Sequence, residues 1–312
     1  MANGRKMICT GMNTSSARIS MVSSLLGQAP LMLHTFNGRW TMDVFGIRKD
    51  PVSVKLNQAL PNTSIPGLWL CLFPLYLRYK ITGTNRFYPS IPEREQEGPA
   101  DIMIAKTLYF DEIIRKYHDT VEQFVVMGAG FDTRCYGELA DSSLKLFELD
   151  LATIQQLKKK CLAKAGVNTD NVQFVQVDFE TDRWYENLAQ AGFDTTKKTL
   201  FLWEGVTLYL SESDVRQTLQ EIRDNTATGS TVVADLYARR FVTGEYMPGM
   251  KAALPTLKIT DEELSFGLDF SSDCEGALNA FLQSENTRAG DTYFMGTRSK
   301  RGTYMVVAEI CL

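Results

Sequence analysis

At 312 residues the chain can bury a large core, as one elaborated domain or as two, and its 44% hydrophobic and 22% charged content excludes global disorder. A net charge of −4 and a pI near 5.4 offer no basic face, which argues against a nucleic-acid partner. Six cysteines without a Cys-x-x-Cys pair fit free thiols in a reducing, cytoplasmic compartment, and two histidines, His34 and His118, are too few for an ordinary His/Cys metal site, so no metal is expected.

The first residues, Met1 to Met7, lack the apolar stretch of a secretory signal. Thr14–Leu26 has a helical pattern, and from Pro30 to Pro99 prolines punctuate the chain without strand rhythm. Residues 1–100 are therefore expected to form a helical, loop-rich cap. Within it, Ile65–Leu77 is apolar but interrupted by Pro66, Gly67 and Pro74, and it falls short of the roughly 20 residues of a spanning helix. It reads as a buried lid or core segment that could also support an oligomer contact, with no stable membrane insertion.

From Lys116 onward short apolar runs alternate with helical patterns, the rhythm of a parallel sheet covered on both faces. The expected strands are Gln123–Met127, Lys145–Leu149, Val172–Val177, Thr199–Trp203 and Thr231–Asp235. The helix Ala152–Ala165 places Ile154, Leu157, Cys161 and Leu162 on one stripe, with lysines on the other side. A second helix starts at a capping Ser211, has an acidic first turn, and sets apolar residues at 215, 219 and 222. Residues 239–285 are long enough for a lid insert of two helices. The chain then ends in a hairpin, Asp291–Gly296 and Thr303–Cys311, turning through Ser299-Lys-Arg-Gly302. The fold class is α/β: a doubly wound, mostly parallel, seven-stranded Rossmann-like sheet over residues 101–312, with a helical N-terminal cap and a helical insert before the last hairpin.

The first strand breaks into Gly128-Ala129-Gly130, a turn without Cβ atoms at 128 and 130, where a carboxylate, ribose or phosphate can lie against backbone N–H groups. Alone this is a weak sign. Its weight comes from Asp150, Asp178 and Glu204, which fall at the ends of the next strands; in a doubly wound sheet those ends share one rim. An acid after the second strand can bind both hydroxyls of a ribose. Asp150 is the candidate and Glu148 its competitor, since the segment Phe147-Glu-Leu-Asp150 offers both acids and only one can point at the ligand. Asp178 is placed for a base edge. A dinucleotide enzyme would want a third glycine where Thr133 stands, which points away from NAD and toward S-adenosyl-L-methionine.

Gly128-Ala-Gly-Phe-Asp-Thr-Arg134, Phe147-Glu-Leu-Asp150, Val177-Asp-Phe179 and Trp203-Glu-Gly-Val-Thr-Leu-Tyr-Leu210 resemble the successive motifs of the leucine carboxyl methyltransferase-like family of S-adenosylmethionine-dependent O-methyltransferases. Ala105-Lys-Thr-Leu-Tyr-Phe-Asp111 resembles the family segment whose basic residue holds the cofactor carboxylate, and Asp50-Pro51 is a weaker echo. The resemblance implies that Gly128 lines the cofactor with its neighbours Ala129, Gly130 and Asp132, and that Asp150 beside Leu151 binds ribose. It further implies that Asp178 and Phe179 hold the adenine, that Glu204 faces the ammonium group, and that Lys106 pairs with the carboxylate, a task Arg134 could share. Lysine at 106, where the family often has arginine, offers a point charge instead of a fork.

Methyl transfer from a sulfonium is a direct displacement that needs alignment and exclusion of water, and only a hydroxyl acceptor benefits from a base. His34 is the candidate base. His118 reads as a helix C-terminal residue. The shortage of histidine favours a carboxylate acceptor over a hydroxyl, held by Tyr209 with Arg78, Arg86, Arg239 or Arg240. The expectation is a small-molecule O-methyltransferase; the alternatives are a protein C-terminal leucine carboxyl methyltransferase and a cofactor-binding regulatory module without turnover.

Overall fold

The computed structural model describes residues 39–60, 65–83, 99–246, 263–297 and 302–312. The expected helix Thr14–Leu26, His34 and Arg86 lie outside them. Among the described residues, a helical stretch at 39–44 and the helices α1 (Pro51–Ala59), α2 (Ile65–Thr82) and α3 (Pro99–Tyr117) precede the sheet. Helix α1 starts where Asp50 accepts the Ser53 N–H at 2.9 Å, with Pro51 in the first turn, where a missing N–H costs nothing.

The strands are β1 (Gln123–Met127), β2 (Lys145–Asp150), β3 (Val172–Gln176), β4 (Thr199–Trp203), β5 (Thr231–Tyr237), β6 (Arg288–Met295) and β7 (Met305–Cys311). They form one sheet in the order β3-β2-β1-β4-β5-β7-β6, and only β7 pairs antiparallel to its neighbours. The expected fold class is therefore found. Strand bounds move by a few residues, most at β6, which begins at Arg288 instead of Asp291.

The interior strands read as unbroken apolar runs because both faces are covered. All residues of β1, β4 and β5 are buried. Between strands lie α4 (Ala152–Lys164), α5 (Trp184–Gln190) and α6 (Glu212–Asp224); α7 (Arg239–Val242) and α8 (Cys274–Ser284) belong to the expected insert. In α6 the Ser211 side chain accepts the Asp214 N–H while Asp214 reaches back to the Ser211 N–H, a capping box that fixes where the helix begins; Val215, Leu219 and Ile222 are buried on its inner stripe.

Two readings of the sequence need correction. The lysines of α4 do not all face water: Lys158 is 1% exposed, with Nζ 2.7 Å from Glu148 Oε2, which also accepts from the Tyr136 hydroxyl at 2.8 Å. A carboxylate buried at Glu148 draws in a cation, and α4 turns to supply one. Nor is Ile65–Leu77 a buried segment broken at its prolines. It lies in the continuous helix α2, with Pro74 inside, and exposes Leu70, Phe73 and Leu77. No helix among the described residues is long and apolar enough to cross a membrane.

Burial pushes the Glu148 carboxyl up to about 7 against the pull of Lys158 and Tyr136. Its folded pKa is thus above its unfolded value, so its contribution to stability declines as pH rises through neutrality. Lys158→Met leaves the carboxylate alone, and the expected loss is about 3–5 kcal/mol well above neutral pH, shrinking as pH falls through neutrality and Glu148 takes up a proton. Urea unfolding across that range checks this, with Glu148→Gln/Lys158→Met recovering most of the loss.

Candidate functional site

The strand order decides which side chains meet. Because β3, β2, β1 and β4 are adjacent and parallel, the residues that leave their C-terminal ends stand side by side on one edge of the sheet, where open α/β sheets bind ligands. Those residues are Asp178 with Phe179, Asp150, Gly128–Gly130, and Glu204. Thus the sheet brings the expected acids onto one rim in chain-independent order.

Gly128 has φ +65°, and a Cβ placed there would lie 2.4 Å from Val206 Cγ2, so the turn closes only without a side chain. Gly130, at φ +43°, has open space around its Cβ direction. Its N–H donates to Asp150 Oδ2 at 2.5 Å, and the Leu151 N–H donates to Asp150 Oδ1 at 2.7 Å. Burial raises the Asp150 pKa, and these two donors offset it only in part. Of the two acids, Glu148 is fully buried against Lys158 and Tyr136, whereas Asp150 ends the strand at the turn. Leu151 is exposed beside it. Asp178 accepts the Glu180 N–H at 3.0 Å, and Phe179 packs at 6.0 Å on the Trp184 ring.

Glu204 is the centre of a buried lattice of charge. Its Oε2 accepts from Arg134 Nη1 at 2.7 Å and from Arg39 Nη2 at 3.3 Å, and its Oε1 lies 3.7 Å from Lys106 Nζ. Arg134 reaches Asp132 at 2.5 Å and Asp111 at 2.7 Å as well, so its planar fork serves three carboxylates. Arg39 binds Asp132 at 2.9 Å. Arg48 joins Asp111, at 2.5 Å, to Asp50, which also accepts the Thr133 hydroxyl at 2.5 Å. Lys106 donates to Asp235 Oδ2 at 3.0 Å, where the Tyr237 hydroxyl also donates at 2.9 Å, and the Gly205 N–H holds Asp235 Oδ1 at 2.8 Å.

Burial alone would push these carboxyls up. For Glu204 the charges of Arg134, Arg39 and Lys106 outweigh it and hold the pKa below the ordinary value; Arg134 and Arg48 do the same for Asp111, and Arg134 with Arg39 for Asp132. Burial likewise disfavours the charge on Lys106, but Asp235 and Glu204 raise its pKa on balance. Glu204, Asp111 and Asp132 are thus ionised at neutral pH. Glu204 Oε1 and Arg39 Nε, although buried, have no hydrogen-bond partner among the described residues. A donor group and an acceptor group of a ligand would complete them, which suits an amino-acid ammonium and carboxylate.

Lys106 therefore sits at the rim but bound to Asp235, and Arg134 is fully engaged in tying the glycine loop to its neighbours. Tyr209 lies in a helical turn, Thr207–Tyr209, directly after the Glu204 loop. His118 is remote: it follows the end of α3, twelve residues and about 18 Å of helix from Lys106, with Nδ1 2.8 Å from Asp119. Arg78, Arg239 and Arg240 are exposed. The sequence reading missed Arg39 and Asp235. Asp235 carried a signal, one acid inside an otherwise apolar buried strand; Arg39 carried none, since nothing near it marks a buried position. Among the described residues no group of His, Cys, Asp and Glu could hold a metal ion.

Gly128→Ala combines left-handed backbone strain of about 1–2 kcal/mol with overpacking of about 1–3 kcal/mol. Gly130→Ala carries only the former. Thermal unfolding should show a clearly larger loss at 128, partly restored by Val206→Ala.

Residues 81–223 match the model of the leucine carboxyl methyltransferase family. Among similar proteins, the provisionally named S-adenosyl-L-methionine-dependent methyltransferase YktD of Bacillus subtilis is 30% identical over 48% of this chain and 54% of its own length. The provisionally named S-adenosyl-L-methionine-dependent methyltransferase SCO7813 of Streptomyces coelicolor is 28% identical over 57% and 66%. A third, from Mycolicibacterium vanbaalenii, is 32% identical over 44% and 45%. The matches thus span about half to two thirds of those relatives. Similar solved structures include the glycopeptide N-methyltransferase MtfA, at 13% identity and TM-score 0.40 over 65% of this chain and 94% of that one. PH0226 from Pyrococcus horikoshii is 11% identical with TM-score 0.43 over 72% and 97%.

Proposed function

We propose that this chain, whose residues 81–223 match the model of the leucine carboxyl methyltransferase family, is an S-adenosylmethionine-dependent O-methyltransferase acting on a small molecule, a carboxylate in preference to a hydroxyl. The observation that carries the cofactor reading is the rim itself: Asp150 beside a glycine turn and Glu204 with one buried oxygen lacking a hydrogen-bond partner among the described residues, at the ends of the two strands that flank β1. In this reading Asp150 accepts the ribose hydroxyls, Asp178 and Phe179 border the adenine, and Leu151 covers its other side. Glu204 takes the ammonium, and Arg39 with Lys106 takes the carboxylate.

The cofactor supplies an electrophilic methyl group on a sulfonium. The protein's part is to hold the acceptor oxygen in line and keep water out; the sulfur retains the bonding electron pair and the acceptor oxygen forms the new bond. A carboxylate needs no proton removed. This fits the surroundings: Glu204 and Asp235 are bound to cations, and burial with the adjacent Asp235 charge raises the Tyr237 hydroxyl far above a useful base. The cap of residues 1–100 and the insert 239–285 shape the acceptor pocket, with Tyr209 and the exposed arginines at its mouth. The enzyme is expected in the cytoplasm. His34 remains the base if the acceptor is a hydroxyl.

Incubation with methyl-labelled cofactor and a panel of acids and phenols should give base-labile methyl esters; transfer only to nitrogen or carbon would defeat the proposal. A peptide ending in a free leucine carboxylate belongs in the panel, because the family model favours it as the second reading. Cofactor affinity should also carry a pH signature. The ionised form of Asp150 accepts ribose hydroxyls, and its pKa is raised while that of Glu204 is lowered. Affinity therefore falls on acidification, starting above the pH where an ordinary aspartate protonates. Titration calorimetry should show this fall abolished in Asp150→Asn and kept in Glu204→Gln.

A further inference from the structure

Helix α2 is apolar on two adjoining stripes, and among the described residues only one has aromatic packing partners. Trp69, Tyr76 and Tyr79 turn inward: Trp69 packs on Trp40 at 5.8 Å between ring centres, and Tyr76 and Tyr79 on Phe45 at 6.1 and 5.7 Å. The neighbouring stripe, Leu70, Phe73, Leu77 and Ile81, follows the three- and four-residue spacing of one helix face and is 79%, 53%, 45% and 75% exposed. These are four of the five large hydrophobic side chains exposed among the described residues. Their concentration on one helix marks an interaction surface.

Charge identifies the occupant. From Pro51 to Pro92 the sequence holds Lys55, Arg78, Lys80 and Arg86 and no Asp or Glu, so this stretch is +4 within a chain of −4 and the remainder carries −8. Arg78 and Lys80 are exposed beside the apolar stripe. A second copy would bring the same positive charge against itself. Moreover, four side chains offer roughly a few hundred Å², well below the ~800 Å² per partner of a stable interface. An anionic bilayer surface meets both properties, taking apolar side chains to the depth of the headgroups and basic ones at the phosphates. The helix lies on such a surface and does not cross it.

We propose that α2 is a reversible membrane-surface anchor selective for anionic lipid. It would hold the site close to the bilayer, since Trp40, on which α2 packs, directly follows Arg39 at the rim. The test is co-sedimentation of the full chain with vesicles of phosphatidylcholine alone and of phosphatidylcholine and phosphatidylglycerol in equal parts. The expected result is salt-sensitive binding to the mixed vesicles only. Leu70→Glu/Ile81→Glu should weaken it by about tenfold or more, and Arg78→Gln/Lys80→Gln should remove its lipid selectivity, both with unchanged melting temperature. Absence of binding, binding indifferent to Leu70→Glu/Ile81→Glu, or a dimer in analytical ultracentrifugation that this double variant dissociates would overturn the proposal. None of these results touches the methyl-transfer reading.

Discussion

Everything at the strand ends depends on keeping buried carboxylates charged. Asp111, Asp132, Glu204 and Asp235 are almost wholly withdrawn from water, where an unpaired charge costs several kcal/mol. Arg134, Arg39, Arg48 and Lys106 supply the counter-charges, and the cations come from different parts of the chain. Arg39 and Arg48 precede α1, Lys106 sits in α3, and Arg134 follows β1. Such pairs contribute little net stability compared with apolar packing, but they fix register, because a displaced guanidinium leaves three acids unmatched. The lattice therefore fastens the segment before α1 to the glycine loop and sets the geometry of the rim.

The same constraint separates the two acids of β2. Glu148 faces the layer of α4 and is neutralised there by Lys158, while Asp150, at the strand's end, keeps backbone donors and open space next to Gly130. Two carboxylates two residues apart thus stand in different surroundings: one joins a helix to the sheet, the other lies at the glycine turn. Burial raises the pKa of both, that of Glu148 to about 7.

The sheet was legible because its strands are local signals: apolar runs of five or so residues closed by Gly or an acid at β1, β2 and β4, and the Ser211 box before α6. Gly128, Asp150, Asp178 and Glu204 could be read from the same punctuation, since the strand's end tells where the side chain emerges. What could not be read were partnerships across the chain. Lys158 looks like any surface lysine of an amphipathic helix until Glu148 is beneath it. Arg39 looks like a loop cation until Glu204 and Asp132 stand opposite. The prolines of 65–77 suggested interruption, yet Pro74 is accommodated within α2, whose aromatic residues are held by Trp40 and Phe45, a tertiary effect that outweighs local propensity.

The central claim is that Glu204 is held ionised by three cations while one of its oxygens is kept for the ammonium of an amino-acid-bearing nucleoside. Titration calorimetry of S-adenosylhomocysteine against the wild type and Glu204→Gln at neutral pH tests it most directly. A charged hydrogen bond of about 1.5–3 kcal/mol predicts a loss of affinity of about 10- to 100-fold. Equal affinity in the two proteins, with the fold intact, would contradict it.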